Sequence, residues 1–204
     1  MSVRRLSEGR GHLHALADCL EQLERELPRL ERWGERLGAV LVGGGRLLAA
    51  GNGGSAAQAQ HLTGELVGRY REDRPPLSAI ALHAETSSLT AIGNDYGPDE
   101  AYARPLRAHG RPGDVFIALS TSGASANVLA AIEAANEMEL ETWALTGAGT
   151  CALAELCDEA ICVDAPSAAT VQECHLVAVH LLCAGVDAHV AAVGAGAAPT
   201  GGLG

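Results

Sequence analysis

Residues Gly51 to Glu65 read Gly-Asn-Gly-Gly-Ser-Ala-Ala-Gln-Ala-Gln-His-Leu-Thr-Gly-Glu, directly after the apolar run Leu47-Leu48-Ala49-Ala50. A glycine-rich turn between a strand and a helix limits the fold to layered α/β architectures, and it creates an anion site. Backbone N–H groups converge there at the positive end of the helix dipole, and Ser55 is expected to cap the helix and offer a hydroxyl. One helical turn separates His61 from Glu65, so both lie on one face, where they can share a metal or a proton-transfer task. A phosphate cradle and an ionisable pair in one strand-turn-helix unit point to chemistry on a small phosphorylated molecule.

The rest of the chain repeats the alternation. Strands are expected at Arg46–Ala50, Leu77–Leu82, Asp114–Ser120, Leu140–Thr146 and Glu159–Asp164. Helical patterns separate them at Ser55–Tyr70, Glu85–Gly93, Ser125–Glu139, Cys151–Cys157 and Thr170–His189. Such alternation gives a doubly wound parallel sheet of about five strands in three layers. Ahead of it, leucines at 13, 16, 20, 23, 27, 30, 37 and 41 mark one bent helix or two shorter ones interrupted by Pro28. The domain reading is a helical segment 1–42 packing on the core and on partner subunits, an α/β domain 43–190, and a Gly/Ala-rich tail 191–204 expected to be disordered.

Composition removes several chemistries. At 204 residues and 48% hydrophobic content the chain suits one well-buried domain, and 3% aromatics leave the core to Leu, Val, Ile and Ala. All 14 basic residues are arginine, so no Schiff-base lysine and no P-loop lysine exist. A net charge of −11 opposes attraction to nucleic acid and to anionic lipid. No apolar run reads as a membrane span. The six cysteines form no C-x-x-C pair and no signal-peptide pattern is present, so they are expected to be reduced core thiols of a cytoplasmic protein.

Parallel sheets collect ligands at the carboxyl ends of their strands. After the third strand comes Ser120-Thr121-Ser122-Gly123-Ala124-Ser125-Ala126-Asn127, with four hydroxyls around a glycine. A cap needs one hydroxyl, so the density favours a second ligand loop over a plain capped turn. The final helix carries Gln172, Glu173, His175 and His180. On an ideal helix His175 and His180 project about 140° apart, so one of the two is expected to be structural, and Glu173 shares a face with His180 while Gln172 is rotated by about 80°. Gly51-x-Gly53-x-x-Ala56 also satisfies a permissive dinucleotide fingerprint, with Glu85 the nearest acidic candidate, which keeps an oxidoreductase open. Arg69, Arg71 and Arg74 read either as an anion attractor or as a solvated helix end.

Taken together, these residues resemble the phosphoheptose isomerases of the SIS (sugar isomerase) domain. The resemblance rests on Gly51–Ser55 with Gln60-His61 and Glu65, Gly93-Asn94-Asp95-Tyr96-Gly97, Ser120–Gly123 with Ser125-Ala126-Asn127, and Gln172-Glu173-x-His175 with His180. It implies a flavodoxin-like SIS fold, one Zn2+ per subunit held by His61, Glu65, Gln172 and His180, and an acid-base pair of Glu65 and His180. Substrate contacts would be Asn52, Gly53, Gly54, Ser55, Glu65, Asn94, Asp95, Ser120, Thr121, Ser122, Ser125 and Gln172. It further implies a homotetramer with sites at subunit interfaces, converting sedoheptulose 7-phosphate to the heptose 7-phosphate. Ala168-Ala169-Thr170 departs from the family pattern of a polar or acidic residue and an arginine, which leaves a related octulose phosphate open. A non-catalytic sugar-phosphate-binding regulator is the alternative from another class.

Overall fold

The structure, a computed structural model, describes residues 2–147 and 149–196. The leucine-rich N-terminal segment is two helices, α1 (Ser2–Arg25) and α2 (Leu27–Val42), which meet at Glu26. Pro28 sits in the opening turn of α2, where its missing N–H removes no helical bond. Five strands follow: β1 (Leu47–Gly51), β2 (Ala79–Ala81), β3 (Val115–Ser120), β4 (Glu141–Thr146) and β5 (Glu159–Cys162). Between and after them run α3 (Gly54–Val67), α4 (Thr86–Asp95), α5 (Glu100–His109), α6 (Ala126–Glu137), α7 (Ala152–Leu156) and α8 (Ala168–Gly196). The two edge strands are shorter than the sequence pattern implied, since each has only one neighbour to pair with.

All pairings are parallel and the strand order is β2-β1-β3-β4-β5. The three central strands are buried almost throughout, which explains their near-continuous apolar sequences. Leu47, Ala49, Val115, Ile117, Leu119, Trp143 and Leu145 face a layer made of α1, α2, α3 and α8. Leu48, Ala50, Phe116, Ala118 and Ala144 face the opposite layer, built on α5, α6 and α7. Trp33 of α2 stacks on Trp143 at 4.7 Å between centroids and 6° between planes, sealing the first layer to the sheet.

Gly51 ends β1 opposite Leu119, one residue before β3 ends at Ser120. From these neighbouring strand ends the chain departs to opposite layers, through α3 on one side and α6 on the other. That divergence opens the crevice in which parallel sheets bind ligands.

Two sequence expectations change. Helix α5 was not anticipated, because Pro105 and several charges mask its apolar stripe of Ala101, Tyr102, Ala103 and Leu106. Helix α8 continues to Gly196 and so includes the start of the stretch expected to be disordered; alanine-rich composition favours helix. Residues 197–204 lie outside the described ones. By length and composition alone the same helix could cross a membrane, with mean hydropathy 1.9 in an 18-residue window. It nevertheless packs on α1, α2 and α3, and carries the polar residues described next.

Candidate active site

The turn after β1 follows from its glycines. A Cβ on Gly51 would lie 2.8 Å from Leu119 O and 2.8 Å from the Ser55 backbone. Gly53 has φ +55 and occupies the cap position of α3, so no side chain caps the helix. This corrects the expectation for Ser55, which lies buried inside the first turn with its N–H bonded to Asn52 O at 3.0 Å. The Gly53 and Gly54 amides find no acceptor among the described residues, which leaves them for an anion.

Asn52 bridges to the second loop. Its Nδ2 donates to Asn127 Oδ1 at 2.9 Å, and Asn127 Nδ2 returns a bond to Asn52 Oδ1 at 3.0 Å. Within the serine-rich loop, Ser120 Oγ accepts from Gly123 N at 3.1 Å and Ser122 Oγ from Ala124 N at 3.3 Å. Two of the four hydroxyls thus shape the turn itself. Ser125 caps α6 in position but forms no side-chain cap bond, and Thr121 has no hydrogen-bond partner among the described residues, so these two hydroxyls remain for a ligand.

About two and three turns into α3, the helix meets α8. His61 Nε2 lies 2.9 Å from His180 Nε2 and 3.3 Å from Glu65 Oε1. The donor atoms of His61, Glu65 and His180 all fall within 4.8 Å of one another. Two imidazoles and one carboxylate, all partly accessible, match the donor chemistry of a catalytic zinc site. Tyr70 stacks on the His180 ring at 5.6 Å and Arg71 lies over Tyr70, which borders a cleft of about 450 Å³. Arg74 is neither solvated nor an anion attractor. It is 5% exposed, pairs with Asp187 at 2.7 Å, and donates to Glu65 O at 2.8 Å and Leu66 O at 2.9 Å, tying the end of α3 to α8.

A model of the SIS domain matches residues 12–147. Phosphoheptose isomerase of Streptomyces coelicolor is 64% identical over 87% of this chain and 77% of that protein. Among solved structures, a phosphoheptose isomerase from Francisella tularensis superposes with TM-score 0.83 at 32% identity, covering 92% of this chain and 99% of that one. One from Neisseria gonorrhoeae gives TM-score 0.80 at 37% identity, over 91% and 97%. The chain belongs to the phosphoheptose isomerase family of SIS-domain proteins.

Against the phosphoheptose isomerase expectations, the structure gathers some residues and separates others. Gln172 lies at the opening turn of α3, its amide against the Gly54 Cα and its carbonyl accepting from Gln58 Nε2. Glu173, which ideal helix geometry paired with His180, instead bonds His12 of α1 at 3.0 Å. His175 is the structural histidine: it is 1% exposed, bonded to Thr146 O at 3.1 Å, and held down at about pKa 4 by burial. Asn94 donates to Asp95 at 2.7 Å at the end of α4, and Asp95 lines a separate cleft with Tyr96, Arg104 and His109. Glu85 caps α4 by accepting from Ser87 N and Ser88 N, which engages the carboxylate that a dinucleotide ribose would need. Tyr70 and Tyr102 escaped the sequence reading, because their roles arise from contacts across helices distant in the chain.

Proposed function

We propose that this protein is a zinc-dependent isomerase that converts sedoheptulose 7-phosphate to D-glycero-D-manno-heptose 7-phosphate through an enediol. The supporting observation is the meeting of His61 and Glu65 of α3 with His180 of α8 within 4.8 Å, while the glycine turn ahead of α3 and the serine loop ahead of α6 leave adjoining strand ends. The amides of Gly53 and Gly54, with the hydroxyls of Thr121 and Ser125, hold the substrate's phosphate and sugar oxygens.

Glu65 removes the proton from C1 of the open-chain ketose, whose carbonyl is at C2. The electron pair forms the C1–C2 enediol, and the proton returns at C2 as the carbonyl moves to C1. His180 carries a proton between the C1 and C2 hydroxyl oxygens. His61, Glu65 and His180 would hold Zn2+, with Gln172 as a fourth donor or a substrate contact. When bound, the ion supplies Lewis-acid polarisation of the carbonyl. Asn94, Asp95, Asn52, Ser55, Ser120 and Ser122 complete the substrate set in this reading, the serines through backbone and loop shape.

A homotetramer with sites at subunit interfaces is supported by the separation of Asn94 and Asp95 from the triad, and by exposed Val177 and Val193 on α8. A cytoplasmic location is supported by six free cysteines, of which Cys157, Cys174 and Cys183 are pushed up to about 12, chiefly by burial. Proton NMR of sedoheptulose 7-phosphate with the protein tests the function: aldose signals should appear and should be lost on chelation. Aldose formation that survives full metal removal would refute the zinc dependence, and none at all would refute the reaction.

A further inference from the structure

We propose that Tyr102 of α5 is a positioning residue for substrate, holding the two ligand loops at their working separation through Asn52. This deepens the sugar-phosphate reading of the site and rests on it. The phenol is 5% exposed and comes from the helical layer opposite α3 and α8. Its oxygen lies 2.8 Å from Gly51 O and 2.7 Å from Asn52 Oδ1, so its single proton is shared between the last carbonyl of β1 and the first side chain of the glycine turn. Asn52 is in turn joined to Asn127 in the first turn of α6 by the two reciprocal amide bonds.

The consequence is a strut, running Tyr102, Asn52, Asn127, across the crevice mouth between β1 and β3. Both ends of the strut carry ligand groups: the free amides of Gly53 and Gly54 follow Asn52, and the hydroxyl of Ser125 precedes Asn127 by two residues. Asn52 Oδ1 already receives two partners, and Nδ2 spends one of its two protons on Asn127. Asn52 therefore offers a ligand a single N–H, in a direction set by groups that are themselves fixed. The Tyr102 ring would pack the core as phenylalanine does, against His83 at 6.2 Å edge to face. Its hydroxyl is the part that reaches the site.

The test is Tyr102→Phe, with Asn127→Ala and the double variant, each titrated with sedoheptulose 7-phosphate by calorimetry and assayed for turnover. Loss of one such hydrogen bond corresponds to about a tenfold change in affinity. Expected is a KM and dissociation constant raised about tenfold in Tyr102→Phe, with kcat within about twofold, zinc content unchanged, and a double variant no worse than Asn127→Ala alone. Wild-type affinity and KM in Tyr102→Phe, with or without a lower melting temperature, would overturn the positioning role while leaving the function standing. Failure of the wild-type protein to bind the sugar phosphate would overturn both, and the same titration separates the two results.

Discussion

His61 and His180 are 119 positions apart in the chain, yet their Nε2 atoms stand 2.9 Å apart, with Glu65 Oε1 3.3 Å from the first. With Glu65 they form the set of donor atoms proposed to hold the metal ion. Glu65→Gln keeps the volume and removes the charge. It should lower turnover by about 10² to 10⁴-fold and abolish exchange of the C1 proton with solvent. His61→Ala should bring the zinc content per chain close to zero, as read by elemental analysis of dialysed protein.

Gly54 gives a sharper dissection of the fourth donor. A Cβ there would run into the Gln172 amide, which is the far end of a flexible side chain. Gly54→Ala should therefore displace Gln172 with a change in stability of less than about 1 kcal/mol, while raising the KM for the sugar phosphate. A normal KM in a well-folded Gly54→Ala would remove Gln172 from the site.

Arg74 and Asp187 form a nearly buried pair, 5% and 14% exposed. Removing one charge leaves the other stranded, at a cost of about 3 kcal/mol. Arg74→Gln should thus lower stability in urea by roughly that amount, and should lower zinc affinity as well, because Glu65 loses the donor to its carbonyl. Equal destabilisation with unchanged zinc affinity would confine Arg74 to a purely structural part.

Acid stability should report His175. The unfolded chain protonates this side chain near 6.5, whereas burial holds it neutral in the folded protein down to about pH 4. Between those values the unfolded state binds more protons, so stability is full above pH 6.5 and falls by about 1.4 kcal/mol per pH unit toward pH 4. Denaturant titrations of the wild type and His175→Gln across that window should differ by this slope. Parallel profiles would contradict it.

Much of this was legible along the chain. The alternation of apolar runs with helical patterns placed all five strands, since a strand buried on both faces needs an unbroken apolar run. His61 and Glu65 were legible because they share one helical turn. Their meeting with His180 came through the family pattern, since nothing local relates residue 61 to residue 180. Helix periodicity alone favoured Glu173, which the structure gives to His12, a residue of α1 that no spacing rule could supply. Ser55 was misplaced by two positions: the cap fell on Gly53, whose positive φ makes the turn. Tyr102 remained hidden because Pro105 obscured the helix that carries it.

The most direct test of the triad's role is solvent-exchange NMR on sedoheptulose 7-phosphate in deuterium oxide with zinc-loaded protein. Deuterium should enter C1 of the ketose and C2 of the newly formed aldose, and neither should be labelled with Glu65→Gln or with His180→Ala. Full labelling in both variants would contradict the assignment of proton transfer to these side chains.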